Sequence, residues 1–383
     1  MATSFARTIS LTLPLALLST LVGCGSAASE PSESVLEAAS AHHGSGRAPP
    51  VIFDTDMDFD DASALALLCQ EHKQQRIRLV AVTVANDGVG LPGSAVRHAR
   101  CVLERCGLLD EGRVADGSSA GVNTPPPELR GAIEGVLSGA FAECTQSPAP
   151  SAESAPELIA DILGDAHRPV TIITTGPLSN LSAALALGGG HSHHHGNRPL
   201  TSKIGKVFVM GGAVDVEGNL FPSETLAAFD NSQELNMWLD PSAARRVFTS
   251  LPSSTVHLVP LDATNHVPIT PAFVESLGAA RETAEAEVVY SIVTQPIASF
   301  GIGLGLFYWW DPLAVVAATR NDDVVGFESK RISVVQSGAQ AGRTLESNQG
   351  SRLRVATEAD RARFERAFLD GLNGHDANGG CDD

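Results

Sequence analysis

Five aspartates crowd between positions 54 and 61 of this 383-residue chain: Asp54, Asp56, Asp58, Asp60 and Asp61. The apolar run Val51-Ile52-Phe53 leads into them, and Ala62, Leu65, Ala66, Leu68 and Cys69 follow at helical spacing. The pattern predicts a buried strand, an acidic turn and a helix. Carboxylates packed this closely at a strand end repel one another and resist ionisation unless a cation neutralises them. A hard divalent ion bound through oxygen is the simplest remedy. Helix capping by Asp60 and Asp61 would explain two of the acids and leave the others unexplained. An EF-hand loop is excluded, because counting from Asp54 its glycine and glutamate places hold Phe59 and Leu65.

Elements that can position such a turn follow along the chain. Residues 77–84 form a β-branched run ending at Ala85-Asn86-Asp87-Gly88, and a helix is expected over 93–106. Thr124-Pro125-Pro126-Pro127 reads as loop. A helix at 155–163 precedes a buried strand at 170–174, which breaks at Thr175-Gly176-Pro177 before a helix near Asn180. Further strands are expected at 207–210 and 255–261. Asp240-Pro241 opens a helix, with proline in its first turn. Helical segments follow at 271–277 and 282–295, and a Gly-rich approach at 301–305 reaches Tyr308-Trp309-Trp310-Asp311-Pro312. Asp311 can cap a helix there, and both tryptophans can be core. Alternating strands and helices predict an α/β fold: a mostly parallel central sheet flanked by helices, Rossmann-like, with ligands outside the carboxyl ends of the strands.

The hydrophobic content of 43% supports one large core, and 18% charged residues argue against disorder. A formal net charge of −18 argues against a nucleic-acid backbone or an anionic lipid surface as the main partner. A small polar ligand or a metal fits better. Arg7 and the apolar run 11–22 end at Leu21-Val22-Gly23-Cys24, which resembles a bacterial lipoprotein signal peptide cleaved before an acylated Cys24. An ordinary secretory signal is the alternative. Gly25 follows the cysteine, so the expected location is the periplasmic side of the outer membrane, with membrane contact only through the lipid. The domain plan is a signal peptide at 1–23, a tether at 24–49, a folded domain at 50–373 and a disordered tail at 374–383. The other cysteines, Cys69, Cys101, Cys106, Cys144 and Cys381, are odd in number and irregular in spacing, so no disulfide framework is expected. His191, His193, His194 and His195 read as a solvated insertion with no catalytic role.

Several of these stretches together resemble the inosine-uridine preferring nucleoside hydrolase family. The opening signature is matched by Asp54-Thr55-Asp56-Met57-Asp58-Phe59-Asp60-Asp61-Ala62-Ser63-Ala64-Leu65, altered only where the family has Pro-Gly. Thr175-Gly176-Pro177-Leu178-Ser179-Asn180-Leu181, Val209-Met210-Gly211-Gly212, Pro260-Leu261-Asp262-Ala263-Thr264 and Asp311-Pro312-Leu313-Ala314 follow in the family's order. What the resemblance implies is a Ca²⁺ site of Asp56, Asp61, the Thr175 carbonyl and Asp311, completed by water and two ribose hydroxyls. An all-oxygen set of this kind is what calcium accepts. By the same resemblance Asp54 supports the site from behind, Asp60 bonds a ribose hydroxyl, and Asn219, Glu234 and Asn236 hold the rest of the sugar. The implied reaction is hydrolysis of the N-glycosidic bond of a ribonucleoside. Water activated by the ion gives its proton to Asp56 and attacks the anomeric carbon with inversion, while carboxylates stabilise the oxocarbenium-like ribose.

Departures from the family pattern are specific. Trp310 stands where many members have a general-acid histidine, and it or Trp309 can stack on a purine. Ala85-Asn86-Asp87 replaces Ala-Gly-Asn, so either Asn86 or Asp87 serves the ribose. The segment between Asn219 and Glu234 is longer than usual and carries Phe221, Pro222 and Phe229. Asp58 adds charge and a side chain where the backbone of the family has glycine. The reading is a calcium-dependent, purine-directed N-ribosyl hydrolase acting on small-molecule nucleosides, with homo-oligomerisation left open. The alternatives are a non-catalytic nucleoside- or ribose-binding lipoprotein and a hydrolase of another glycoside.

Overall fold

The all-buried strand β1 (Pro50–Thr55) lies inside the sheet and hands the chain to α1 (Phe59–Lys73) through the acidic turn. The computed structural model describes residues 48–109, 113–119, 121–144, 150–188, 199–220, 231–320 and 323–376. Residues 1–47 with Cys24, the histidine loop at His191–His195, Phe221, Pro222, Phe229, Cys381 and the tail beyond Asp376 lie outside them. Ala48–Asp383 forms a compact unit by itself.

The chain continues through β2 (Arg78–Val84), α2 (Ser94–Arg105), β3 (Arg113–Asp116), α3 (Pro127–Ala140), α4 (Ala155–Asp165), β4 (Val170–Thr174), α5 (Ser179–Leu187) and β5 (Ile204–Met210). After them come α6 (Leu235–Leu239), α7 (Pro241–Ser250), β6 (Val256–Val259), α8 (Leu261–Thr264), α9 (Pro271–Ala280), α10 (Ala284–Val293), α11 (Pro296–Gly303) and α12 (Trp310–Thr319). The last third adds β7 (Val325–Val334), β8 (Thr344–Glu346), β9 (Ser351–Ala359) and α13 (Arg361–Leu372). The sheet runs β3-β2-β1-β4-β5-β6-β9-β7-β8, with every pair parallel from β3 to β9 and β7 antiparallel to both neighbours. It is the α/β architecture expected from the alternation of apolar strands and helices. Helices cover both faces, so each central strand is buried on two sides and reads as a continuous apolar run.

Several local readings change. Pro127 is the first residue of α3 rather than part of a loop, because a proline lacks only an N–H that the first helical turn leaves unused anyway. The Gly-rich approach at 301–305 is partly helical, its first residues ending α11. Asp311 does not cap α12: Trp309 holds the cap position, and Asp311 lies in the first turn. The cap of α1 is Asp58, in a reciprocal box with Asp61, whose Oδ2 accepts from the Asp58 N–H at 2.9 Å. Asp58 is extended, with φ −69°, so no glycine freedom is needed there; the positive φ of 56° falls on buried Met57 instead. Cys101 and Cys144 form a disulfide with Cα atoms 5.7 Å apart, joining α2 to the end of α3, which the irregular spacing had hidden. Cys69 and Cys106 are buried free thiols. Near the end of the described chain, the Asp376 carboxylate accepts from Arg76 Nη1 at 2.8 Å.

Candidate active site

The carboxyl ends of β1, β2, β4 and β5 release turns toward one edge, and helices α1 and α12 bring their N-termini to the same place. The N-terminus of a helix carries partial positive charge, which favours acids there. Asp60, Asp61 and Asp311 occupy these first turns, and the Asp311 N–H donates to Asp60 Oδ2 at 3.1 Å. One oxygen from each of the three lies within 4.8 Å of the others, and all three side chains are buried. Asp61 is central. Its Oδ1 accepts from the hydroxyls of Thr55 and Thr175, the latter at 2.6 Å, and the carboxylates of Asp56 and Asp311 lie within hydrogen-bonding reach of it.

Burial pushes the Asp56, Asp60 and Asp311 carboxyls well above the usual range, and the neighbouring acids push them further. Behind them Asp54 is pushed up to about 7 by burial, although Thr83 Oγ1 at 2.6 Å and Asn180 Nδ2 at 2.9 Å both donate to its Oδ1. Its Oδ2 is buried without a hydrogen-bond partner. Among the described residues no Lys or Arg forms an ion pair with Asp56, Asp60, Asp61 or Asp311. Arg130 bears electrostatically on Asp56, but no cation pairs with Asp60, Asp61 or Asp311 among the described residues, and a buried donor set made purely of oxygen fits a hard metal cation.

Asp56 is gripped from its other side by the turn after β2. Its Oδ2 accepts from Val89 N–H at 2.7 Å, and its carbonyl accepts from Gly90 N–H at 3.0 Å. The contact is so close that a Cβ on Gly88 would fall 2.1 Å from Asp56 Cβ, which requires glycine. Arg130 of α3 clamps the same turn, donating from Nη2 to Gly88 O at 2.6 Å and to Asn86 O at 3.1 Å. Sequence reasoning missed Arg130, and no local signal marks it.

The remaining sequence-predicted residues divide. Asn236 approaches the cluster: its Nδ2 donates to the Thr175 carbonyl at 3.1 Å, which leaves that oxygen one further lone pair. Glu234 is buried beside it, but its oxygens accept from the N–H groups of Gly212 at 2.8 Å, Asn236 at 3.0 Å and Met237 at 3.1 Å, so it also caps α6. Asn219 spends its Oδ1 on Leu235 N–H at 2.9 Å. The Asn86 amide turns to Asp116 and the Gly117 carbonyl. Asp87 accepts from Ser179 Oγ at 2.8 Å, keeps a buried Oδ2 without a partner and is pushed up to about 6 by burial. Both expected pocket residues at this turn keep a buried oxygen without a partner, Asn86 Oδ1 and Asp87 Oδ2. Trp309 is core, edge-on to Phe273 and Phe368 with centroids 5.8 and 5.0 Å away. Trp310 is half-buried beside Tyr308, ring centroids 5.5 Å apart, and its indole N–H has no partner.

A mostly parallel α/β sheet with buried acids gathered at the carboxyl ends of its strands places them where such folds bind their ligands, and the donor set is one a hard cation accepts. The chain belongs to the inosine-uridine preferring nucleoside hydrolase family, whose sequence profile matches residues 51–366. It is similar to a pyrimidine-specific ribonucleoside hydrolase RihA of Photobacterium profundum, 30% identical over 234 residues that cover 60% of this chain and 65% of that protein. A probable uridine nucleosidase 2 of Oryza sativa subsp. japonica is 27% identical over 245 residues, covering 62% of this chain and 64% of that protein. The match thus spans less than two thirds of the length of these relatives. Among solved structures, an inosine-uridine preferring nucleoside hydrolase from Bacillus anthracis superposes with a TM-score of 0.70 at 23% identity, covering 85% of this chain and 99% of the other. A purine-preferring ribonucleoside hydrolase from Gardnerella vaginalis gives 0.67 at 23% identity, covering 85% and 98%. These two likenesses establish the fold.

Proposed function

We propose that this chain hydrolyses the N-glycosidic bond of ribonucleosides, releasing ribose and the free base, with Ca²⁺ as its metal and purines as its preferred bases. The observation that carries the reading is the convergence of Asp60, Asp61 and Asp311 in one buried all-oxygen cluster, with Asp56 within hydrogen-bonding reach of Asp61. Asp56, Asp61, Asp311 and the Thr175 carbonyl would hold the ion. When bound, the ion supplies Lewis acidity, neutralising the carboxylates and making water acidic enough to attack near neutral pH.

The chain's own residues do the rest. Asp56 accepts the proton of the attacking water; the Val89 N–H fixes one of its oxygens and leaves the other to act as base. Asp60, Asp87 and Asn236 orient the ribose. The surrounding carboxylates stabilise positive charge as the sugar becomes oxocarbenium-like. With no histidine before Asp311, the leaving base is activated by stacking on Trp310, whose half-buried ring and free indole N–H support that role. Trp310 is what favours purines here; the two sequence relatives named above carry pyrimidine substrates in their names, and the Gardnerella vaginalis structure is that of a purine-preferring hydrolase.

The test is a product assay. Residues 48–383 are incubated with inosine, adenosine, guanosine, uridine and cytidine, with Ca²⁺ and with a chelator, and released ribose is measured. Calcium-dependent release, faster from purines, is expected. Tight nucleoside binding with no release would replace the enzyme by a binding lipoprotein on the same scaffold, and faster release from uridine would overturn the base preference.

A further inference from the structure

Two arginines face each other across a strand pair far from the acidic cluster. In the antiparallel register of β7 and β9, Arg331 lies directly opposite Arg352. The Arg331 carbonyl accepts from Ser347 N–H at 2.8 Å on one side, and the Arg352 carbonyl from Ser254 N–H at 3.0 Å on the other. Carbonyls turned away from each other belong to a non-hydrogen-bonded pair, in which the Cα atoms are about 4.5 Å apart and the side chains come closest. Like charges so placed destabilise a sheet. Neither guanidinium forms an ion pair among the described residues, although the chain has 44 Asp and Glu against 26 Lys and Arg. The acids of the same hairpin, Glu328 and Glu346, bear instead on Lys330, which takes the other face of β7 and pairs with Asp215 at 2.6 Å.

A cavity of about 510 Å³ opens beside the pair, lined by Thr249, Leu251, Ser253, Ser351 and both arginines. Leu251 and Ser253 precede β6, and Ser351 opens β9, which runs parallel to β6. The cavity therefore lies at the amino ends of the parallel strands, on the sheet edge opposite the acids. Its volume is that of a site for a small organic molecule rather than for a single inorganic ion. Leu251 is the one apolar side chain lining it, and no aromatic ring lines it for a base to stack on.

The donors suit a phosphate group. One planar guanidinium fork satisfies a carboxylate, whereas a phosphate dianion has oxygens and charge enough for two. Arg331 is oriented by its Nη1, which donates to the Gly350 carbonyl at 3.1 Å, at a turn so tight that a Cβ on Gly350 would fall 2.6 Å from the Ile332 carbonyl carbon. Thr249 Oγ1 spends its proton on the Arg245 carbonyl at 2.9 Å and so turns lone pairs to an incoming hydroxyl, while the Ser253 and Ser351 hydroxyls can donate or accept. We infer that this cavity binds a phosphate monoester of a small polyhydroxylated molecule, a sugar phosphate by class, its dianion bridging Arg331 and Arg352 and its hydroxyls meeting Thr249, Ser253 and Ser351. The bound dianion replaces repulsion between the guanidiniums by charge-assisted contacts to both. This site is independent of the reaction proposed above.

The test titrates residues 48–383, which form a compact unit by themselves, with glucose 6-phosphate, ribose 5-phosphate, glucose and inorganic phosphate by calorimetry at physiological ionic strength with Ca²⁺ present. Saturable binding of the two sugar phosphates is expected, with glucose and inorganic phosphate weaker by about tenfold or more. Arg331→Met and Arg352→Met should each weaken the sugar phosphates by about tenfold or more, and Arg352→Lys, which keeps the charge but not the fork, by less. Both Met variants should leave ribose release from nucleosides unchanged. In phosphate-free buffer they should raise the melting temperature by up to about 2 °C, because the like-charge pair is relieved; loss of binding is then not loss of fold. Asp311→Asn should bind the sugar phosphates as the parent does. The inference is overturned if no phosphate binds, if Arg331→Met/Arg352→Met binds as tightly as the parent, or if Asp311→Asn abolishes binding, which would move the ligand to the acidic site. Glucose or inorganic phosphate binding as tightly as glucose 6-phosphate would overturn it as well, since the cavity would then not read both parts of the ligand.

Discussion

Helices α1 and α12 lie side by side, and their two ends handle buried charge in opposite ways. At the C-terminal end, fully buried Glu71 of α1 meets Arg320, the cap residue of α12, at 2.9 Å, and Arg76 at 2.7 and 3.1 Å. At the N-terminal end, Asp60, Asp61 and Asp311 are equally buried, with only hydroxyls and N–H groups against them. One end has its acid paired with arginine, although Arg320 Nη1 keeps no hydrogen-bond partner; the other has room in its electrostatics for a positive charge from outside. Within one pair of helices, then, arginine marks where charge serves the fold, and its lack marks where charge serves a ligand.

The largest expected effect breaks the ligand end. Asp56→Asn keeps the shape and the Val89 contact but removes the base, and should lower ribose release by about 10³-fold, within the range for general-base loss, with little change in melting temperature. An unchanged rate would remove Asp56 from the chemistry. Next, Arg320→Met breaks the structural end by leaving Glu71 short of a partner, and should cost about 3–5 kcal/mol in urea unfolding while the rate of the surviving folded enzyme is kept. Pairing it with Glu71→Leu should recover most of the loss; no recovery would mean that the arginine acts elsewhere.

A third measurement sharpens the contrast through pH. Asp54 rises from 3.8 to about 7 on folding, so the folded chain binds that proton more tightly than the unfolded one. The stability this confers is complete below pH 3.8 and is lost as pH rises through about 7. The raised carboxyls of Asp56, Asp60 and Asp311 act in the same direction. The melting temperature of the cation-free protein should therefore fall by several degrees between pH 5 and pH 8, and excess Ca²⁺ should restore it at the upper end. A cation-free protein as stable at pH 8 as at pH 5 would contradict an uncompensated cluster. The smallest effect is at the base: Trp310→Ala should raise KM for inosine about fivefold and Trp310→Phe much less, in keeping with a stacking contribution of about 1 kcal/mol. An equal change for uridine would argue for a pocket wall.

The acidic turn was legible because its strand, turn and helix are contiguous, and local periodicity reports local structure. The parallel sheet was legible for the same reason, since buried central strands read as apolar runs between helices. The hairpin of β7, β8 and β9 was not, because its strands are half-exposed and gain their pairing from β6, distant in sequence. Cys101 and Cys144 could not be paired from spacing, as what brings them together is the packing of α3 on α2. Asn219 and Glu234 carried the right residue types for a sugar site, yet both also spend oxygens on backbone N–H groups around α6, a use that only coordinates reveal.

By itself the sequence determined that five acids stand at the end of a buried strand and that a cation is the natural answer to their repulsion, because both follow from residues adjacent in the chain. The family resemblance already implied that Asp311, some 250 positions away, meets Asp61; the tertiary structure brings them together and adds Asp60, which the resemblance had given to a ribose hydroxyl, to the same cluster. Only the tertiary structure decided that Arg130 holds the turn gripping Asp56, and that Arg320 pairs with Glu71 rather than with the acids at the other end of α1. The physical reason is range: repulsion between neighbours is written in the sequence, whereas which distant charge relieves it depends on how helices pack.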